Sequence, residues 1–83
     1  MIIEDRVRKN LRRLEAMGYK QHELANLAGI SRVSINTIMN KDAEPKIQTC
    51  ERLAVSLGLD PMAIFFSEEQ FEAELEKIAV MST

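Results

Sequence analysis

The 83-residue sequence has one cysteine and one histidine, too few for a disulfide-rich protein or a Cys/His metal site, and it has no long apolar run. Its single cysteine, Cys50, cannot form an internal disulfide, and a lone thiol suits a reducing cytoplasm. No apolar run approaches the roughly 20 residues needed to span a bilayer, and the N-terminus lacks the layout of a signal peptide. We therefore predict a soluble, intracellular protein with no membrane partner.

Residues suited to catalysis are equally scarce. His22 is the only histidine, so neither a metal site nor a charge-relay arrangement has enough partners. With three glycines in the whole chain, there is no glycine-rich loop that could hold a phosphate group. We expect no enzymatic activity, no metal, no cofactor and no small-molecule ligand. The length indicates one small domain, for which a helical bundle is a suitable fold.

The segment from Gln21 to Asn40 has the pattern of two short helices joined by a tight turn. In the first helix, Leu24, Ala25 and Ala28 recur at helical spacing and therefore lie on one face. Gly29 can adopt the left-handed backbone conformation that ends many helices. The small residues at positions 25 and 29 allow two helices to cross closely.

The second helix of this segment is predicted from Arg32 to Met39. Ser31 is a favourable N-cap for it, and Ile35 and Ile38 form its buried side. The outward-facing residues are Arg32, Val33, Ser34, Asn36 and Thr37. Two helices in this arrangement form a helix-turn-helix, in which the second helix can enter the major groove of DNA.

Periodicity and capping signals predict further helices over about 3–17, 46–57, 60–66 and 67–80. The expected buried stripe of the first comprises Ile3, Val7, Leu11 and Leu14. The expected inward residues of the helix over 46–57 are Ile47, Cys50, Leu53, Ala54 and Leu57. Three basic residues of the first helix lie off its stripe, free for phosphates or water: Arg6, Lys9 and Arg13.

The sequence resembles the helix-turn-helix domain of phage repressors, Cro proteins and related xenobiotic-response-element-like regulators. The matching pieces are Leu-Ala at 24–25, Ala-Gly-Ile-Ser at 28–31 and Ser-Ile-Asn-Thr-Ile at 34–38. The run over 45–65 resembles the next two helices of that family. The resemblance extends over roughly residues 6–66, and a match of the whole register over that length is a specific signal.

The resemblance implies an all-α fold, a five-helix lambda-repressor-like bundle with an additional C-terminal helix. Residues 1–66 would form the DNA-binding domain, with the motif at 21–40. Residues 67–83 would form the C-terminal helix, a possible dimerisation element. The chain departs from the family pattern at Lys20, where a Ser or Thr cap is common, and at Lys41, where Gly usually ends the second helix of the motif.

The resemblance also implies roles for individual residues. Contacts to base edges are expected from Arg32, Val33, Ser34 and Thr37. An arginine can bond to guanine O6 and N7 together, while Val33 can pack on a thymine methyl. Contacts to the DNA backbone are expected from Gln21, Asn36, Asn40 and Lys41. Gln21 would also brace Arg32.

The distribution of charge favours a nucleic-acid partner although the total is −2. Residues 6–41 contain eight basic and two acidic side chains, a net charge of +6, whereas residues 42–83 have a net charge of −6. Such asymmetry indicates one face for a polyanion and another for something else. The alternative is that the charges only keep the protein soluble.

Two functions are consistent with these observations. The first is a sequence-specific DNA-binding transcriptional regulator, most plausibly a phage or prokaryotic repressor that binds a palindromic operator in double-stranded DNA as a homodimer. Such a regulator would be located in a bacterial cytoplasm or nucleoid, or in a phage-infected host. The second is a protein-interaction module, similar to an antitoxin or antirepressor, that binds through its acidic half.

The C-terminal helix carries apolar residues that a dimer could use. The expected interface residues are Phe66, Phe71, Leu75 and Ile78. The alternative is that this helix folds back and packs on its own domain.

Overall fold

The computed structural model describes residues 3–40 and 44–81, with side chains over 5–40 and 44–78. Within these residues there are five α-helices and one 3₁₀ turn. They are α1 (Ile3–Ala16), α2 (Gln21–Ala28), α3 (Arg32–Met39), α4 (Ile47–Ser56), the 3₁₀ turn (Ala63–Phe65) and α5 (Glu68–Met81). The predicted all-α, lambda-repressor-like fold class is confirmed.

Helix α1 packs through the predicted stripe, because Val7, Leu11 and Leu14 are all buried in the core. The side chain of Ile3, also expected in that stripe, lies outside the described side chains. The stripe includes one polar residue that periodicity did not indicate. Asn10 is 2% exposed, and its Nδ2 donates to the backbone oxygens of Ile64 at 2.8 Å and Phe66 at 2.9 Å. This amide therefore fastens α1 to the 3₁₀ turn.

The helix expected over 60–66 is only the single 3₁₀ turn. Asp60 begins the segment as a cap, since its Oδ1 accepts a hydrogen bond from Met62 N at 2.9 Å. The segment ends at Phe66, whose backbone is extended with a ψ of 154°. A helix cannot continue through an extended residue, and the carbonyls of Ile64 and Phe66 bond to Asn10 instead of to a following helical turn.

Helix α4 is buried through Cys50, Leu53 and Ala54, as its periodicity predicts. The inward placement of Ile47 was wrong, because this side chain is 59% exposed. Ile47 is the first residue of α4 and follows the exposed N-cap Lys46, so it lies at the polar end of the helix rather than over the core.

Helix α5 folds back onto its own domain. It contacts α1 and the 3₁₀ turn, and it places Phe71 (1% exposed) and Leu75 (4% exposed) in the core. A capping box begins the helix, with Gln70 N donating to Ser67 Oγ at 3.4 Å and Ser67 N donating to Gln70 Oε1 at 3.5 Å. The apolar side of α5 therefore completes the monomer core.

Candidate nucleic-acid interface

The turn between α2 and α3 has the backbone that the sequence predicts. Gly29 has a φ of 73°, and Ile30 N donates to Ala25 O at 3.0 Å, which closes the C-terminus of α2. A Cβ at Gly29 would also lie only 2.6 Å from Nη1 of Arg52 on α4. Ala25 and Ile35 are both buried, so the two helices of the motif pack closely against the core.

Both ends of α3 are held by side chains. Ser31 Oγ accepts from Ser34 N at 3.0 Å, which confirms Ser31 as the N-cap. At the other end, Arg12 Nη2 donates to Met39 O at 3.0 Å. A cation is favourable there because the unpaired carbonyls of a helix C-terminus carry partial negative charge. The helix thus has an end cap from α1 that its own sequence does not contain.

The outward side of α3 presents the predicted base-contacting residues. Arg32, Val33 and Ser34 are exposed, and Thr37 is half-buried. The hydroxyl of Thr37 donates to Val33 O at 2.8 Å, so its proton is used within the helix. Arg32 therefore provides the guanidinium donors of this group.

Three of the predicted backbone-contacting residues are joined by amide hydrogen bonds. Asn40 Nδ2 donates to Asn36 Oδ1 at 3.0 Å, and Asn36 Nδ2 donates to Gln21 Oε1 at 3.1 Å. Gln21 Nε2 donates in turn to Glu15 Oε2 at 3.3 Å. These bonds hold the N-terminus of α2 in register with the outward side of α3.

The expectation that Gln21 braces Arg32 stays a prediction, and among the described hydrogen bonds Gln21 has other partners. Its amide bonds to Asn36 and Glu15, because these residues approach it from α3 and α1. Lys41, the fourth predicted backbone contact, lies outside the described residues.

A shallow cleft at the N-terminus of α2 is lined largely by polar and basic residues: Glu15, Gly18, Tyr19, Lys20, Gln21, His22 and Arg32. Lys20 is the N-cap of α2, and a lysine has no acceptor for the first free N–H groups of the helix. Glu23 compensates in part by accepting a hydrogen bond from Lys20 N at 2.9 Å. Free N–H groups beside cationic side chains form an environment that favours anions.

Two basic residues of α1 are paired with acidic residues of α5. Arg13 forms two hydrogen bonds with Glu72 of α5, 2.6 Å for Nε to Oε2 and 3.1 Å for Nη2 to Oε1. Lys9 Nζ lies 3.9 Å from Glu68 Oε2. Lys9 and Arg13 are therefore paired with acids of α5 rather than free for phosphates. Within 3–40 and 44–81, no ion pair involves Arg32.

The predicted dimer residues fall into two groups. Phe71 and Leu75 are buried within their own chain, and a side chain without accessible surface adds no area to an interface. Their assignment to a dimer surface was wrong, because α5 packs on α1 and the 3₁₀ turn and places both side chains in the monomer core. Phe66 and Ile78 pack partly against the core and remain half-buried.

Other chemistry is sparse in the part of the chain that the structure describes. No cluster of three or more His, Cys, Asp or Glu residues there could hold a metal ion. Burial raises the pKa of the Cys50 thiol to about 11, which disfavours the reactive thiolate. In the same residues, no helix has the length and hydropathy needed to cross a membrane.

Comparison with protein families gives one match. A family model described as helix-turn-helix (HTH_3) matches residues 9–64, which is more than half of the chain. No curated protein and no solved structure matches the chain. The matched region contains α2, α3, α4 and the larger part of α1, whereas α5 follows it.

Proposed function

The chain belongs to the helix-turn-helix family, a DNA-binding and non-enzymatic family, and we propose that it is a sequence-specific repressor of phage or prokaryotic origin. The observation that supports this most strongly is the outward side of α3. It is exposed and capped at both ends, and it carries an arginine that forms no ion pair among the described residues. A rigid helix of this kind can enter the major groove of DNA.

In this proposal α3 is the recognition helix. Arg32 bonds to a guanine, while Val33 and Ser34 contact neighbouring base edges. Asn36, Asn40 and Gln21 lie beside the DNA backbone, where the amide chain keeps them in register. The free N–H groups of α2 bind a phosphate, together with Lys20 at its N-cap.

The experiment that tests this proposal is selection of binding sites from a random DNA pool, followed by salt titrations. A repressor enriches one sequence, and its affinity for random duplex falls steeply with salt because phosphate contacts release counterions. Enrichment of no sequence, together with affinity that is insensitive to salt, would reject the proposal. The antitoxin-like or antirepressor-like interaction module would then be the better account.

The proposal includes a homodimer. One recognition helix reads only a few base pairs, which is too little to locate an operator among the competing sites of a genome. Two copies related by a two-fold axis would read half-sites about 34 Å apart. The apolar residues that we assign to this contact are the exposed Met62 and the half-buried Phe66 and Ile78.

Sedimentation of surface variants tests the dimer. We expect the wild type to sediment as a dimer at micromolar concentration and Met62→Glu as a monomer. Val55→Glu is the matched control, since Val55 is also exposed but lies on α4 outside the proposed surface. A dimer that persists in Met62→Glu but not in Val55→Glu would place the contact on α4. A monomeric wild type would reject the dimer.

A further inference from the structure

Glu15, in the last turn of α1, lies beside the N-terminus of α2 although its charge is unsuited to DNA. Its side chain lines the same cleft as Lys20 and Arg32. Among the described residues Glu15 forms no ion pair, and its Oε2 accepts a hydrogen bond from Gln21 Nε2 at 3.3 Å. A negative charge at this place repels a phosphate group, so a direct contact with DNA does not account for Glu15.

The bond to Glu15 fixes the direction of a chain of three side-chain amides. A carboxylate can only accept hydrogen bonds, so Gln21 must turn its NH2 group toward Glu15 and its oxygen toward α3. Asn36 Nδ2 then donates to that oxygen at 3.1 Å, and Asn36 Oδ1 accepts from Asn40 Nδ2 at 3.0 Å. Without the carboxylate, the three amides could pair in the reverse direction, because each carries both a donor and an acceptor.

The direction of the chain decides which atom of Gln21 faces the cleft. Glu15 lines the cleft and Asn36 does not, so the NH2 group of Gln21 lies on the cleft side of its amide. One hydrogen of that group bonds to Glu15, and the second is left for a ligand. In the reverse direction the oxygen of Gln21 would face the cleft, where it would repel the acceptor oxygens of a phosphate.

Resting on the proposed function, we propose that Glu15 is a positioning residue for DNA binding. It orients the amide of Gln21 so that an N–H group meets a backbone phosphate in the cleft, and it makes no DNA contact of its own. The bond between Glu15 and Gln21 is partly buried in the free protein. Bound DNA excludes more water from it, and a hydrogen bond is electrostatically stronger where water is excluded.

Two neutral variants separate orientation from charge. Glu15→Gln and Glu15→Met both remove the negative charge and keep a side chain of similar length, but only glutamine keeps an oxygen that can accept from Gln21. We expect Glu15→Gln to bind the selected duplex about two- to tenfold more tightly than Glu15→Met, the range for one hydrogen bond. Fluorescence anisotropy measures both affinities. Equal affinities, or tighter binding by Glu15→Met, would overturn the inference.

A double-mutant cycle shows whether Glu15 acts through Gln21. In a Gln21→Ala background there is no amide to orient, so the difference between Glu15→Gln and Glu15→Met should disappear. A difference that persists would mean that position 15 acts on DNA by another route, and it would overturn the inference. The matched control pair is Glu76→Gln and Glu76→Met, at an exposed glutamate of α5 outside the cleft. These two variants should bind DNA equally.

NMR spectra of the free protein give a readout that does not depend on DNA. The side-chain NH2 resonances of Gln21 should shift in Glu15→Met, which has no acceptor for them, and should shift less in Glu15→Gln. The backbone resonances of α2 should stay in place in both variants, which shows that the fold is intact. Gln21 resonances that are the same in both variants and the wild type would overturn the inference.

The failure of this inference differs from the failure of the proposed function. If selection yields a preferred site but the two neutral variants bind it equally, Glu15 does not orient a phosphate contact and the repressor proposal stands. If selection yields no preferred site and binding is insensitive to salt, the proposed function and the inference fall together.

Discussion

The contact between α1 and α5 and the outward side of α2 and α3 both carry arginines from the basic half of the sequence, but they use them differently. Arg13 is held between two helices by Glu72, and its guanidinium is matched by a carboxylate. Arg32 projects from α3 and has no ion pair in the described residues. The same residue type thus joins two helices at one position and is open to a ligand at the other.

The comparison shows that charge along the sequence is a poor measure of charge on a surface. Part of the basic N-terminal half faces the acidic C-terminal helix, where Lys9 and Arg13 meet Glu68 and Glu72. The acids of α5 therefore lie beside α1, and the cationic surface near the motif is smaller than the net charge of +6 suggests. Its cations include Lys20 and Arg32 at the N-termini of α2 and α3.

The largest expected effect concerns the α1–α5 contact. Phe71→Ala should lower the free energy of unfolding by roughly 3–5 kcal/mol, because it removes a buried aromatic ring from the monomer core. Urea titration measures the loss, and Phe65→Ala is the matched control, with a half-buried ring outside the proposed dimer contact and a smaller expected loss. The loss should be the same at all protein concentrations. A loss that shrinks on dilution would instead place Phe71 in a dimer contact, because the dimer adds stability to the wild type only at concentrations where it forms.

The next effect is a difference in DNA affinity between variants of Arg32 and Arg13. Arg32→Ala should weaken binding to the preferred DNA site by roughly 1–3 kcal/mol and relax the preference at one base position. Arg13→Ala should leave DNA affinity and its salt dependence nearly unchanged, since Glu72 already neutralises that guanidinium. Fluorescence anisotropy with cognate and scrambled duplexes measures both. Equal losses for the two variants would mean that both regions touch DNA.

A smaller effect is expected at the edge of the recognition side. Gln21→Ala removes the acceptor of Asn36 Nδ2. It should weaken binding to cognate and to scrambled duplexes by the same amount, about 0.5–1.5 kcal/mol. The same binding assay measures the ratio between the two duplexes, which we expect to remain that of the wild type. A change in base preference would show that Gln21 reads sequence directly or through Asn36.

The smallest effect is the pH dependence of the α1–α5 contact. The hydrogen bond and the charge of Arg13 hold the pKa of Glu72 below its usual value, so its stabilising contribution is present above the unfolded-state pKa. That contribution is lost as the pH falls through the lower folded-state pKa. Urea midpoints measured from about pH 6 to about pH 3 should therefore decline less in Glu72→Gln than in the wild type.

Arg13→Gln provides the matched test, because it removes the cation that lowers the pKa of Glu72. In this variant too, the urea midpoint should decline less toward about pH 3 than it does in the wild type. The double variant should show the same pH dependence as either single variant. Additive effects of the two substitutions would show that the two side chains act independently.

Much of the fold follows from the sequence by itself, because its signals are local. A left-handed glycine, a serine cap and a spacing of three to four residues act within one or two helical turns, so Gly29, Ser31 and the described part of the α1 stripe were predicted correctly. The same local pattern predicted the outward side of α3. Its exposure follows from the positions of Ile35 and Ile38, which must face the core.

Only the tertiary structure decided which surfaces meet. Periodicity showed that α5 has an apolar side but not what covers it, and the structure places Phe71 and Leu75 inside the monomer. The buried Asn10 could not be foreseen either, since its partners are carbonyls of Ile64 and Phe66, more than 50 residues away. Side-chain hydrogen bonds and ion pairs across the fold depend on distances that no short stretch of sequence contains. For that physical reason, the pairing of Arg13 with Glu72 could be identified only from the packing of α5 against α1.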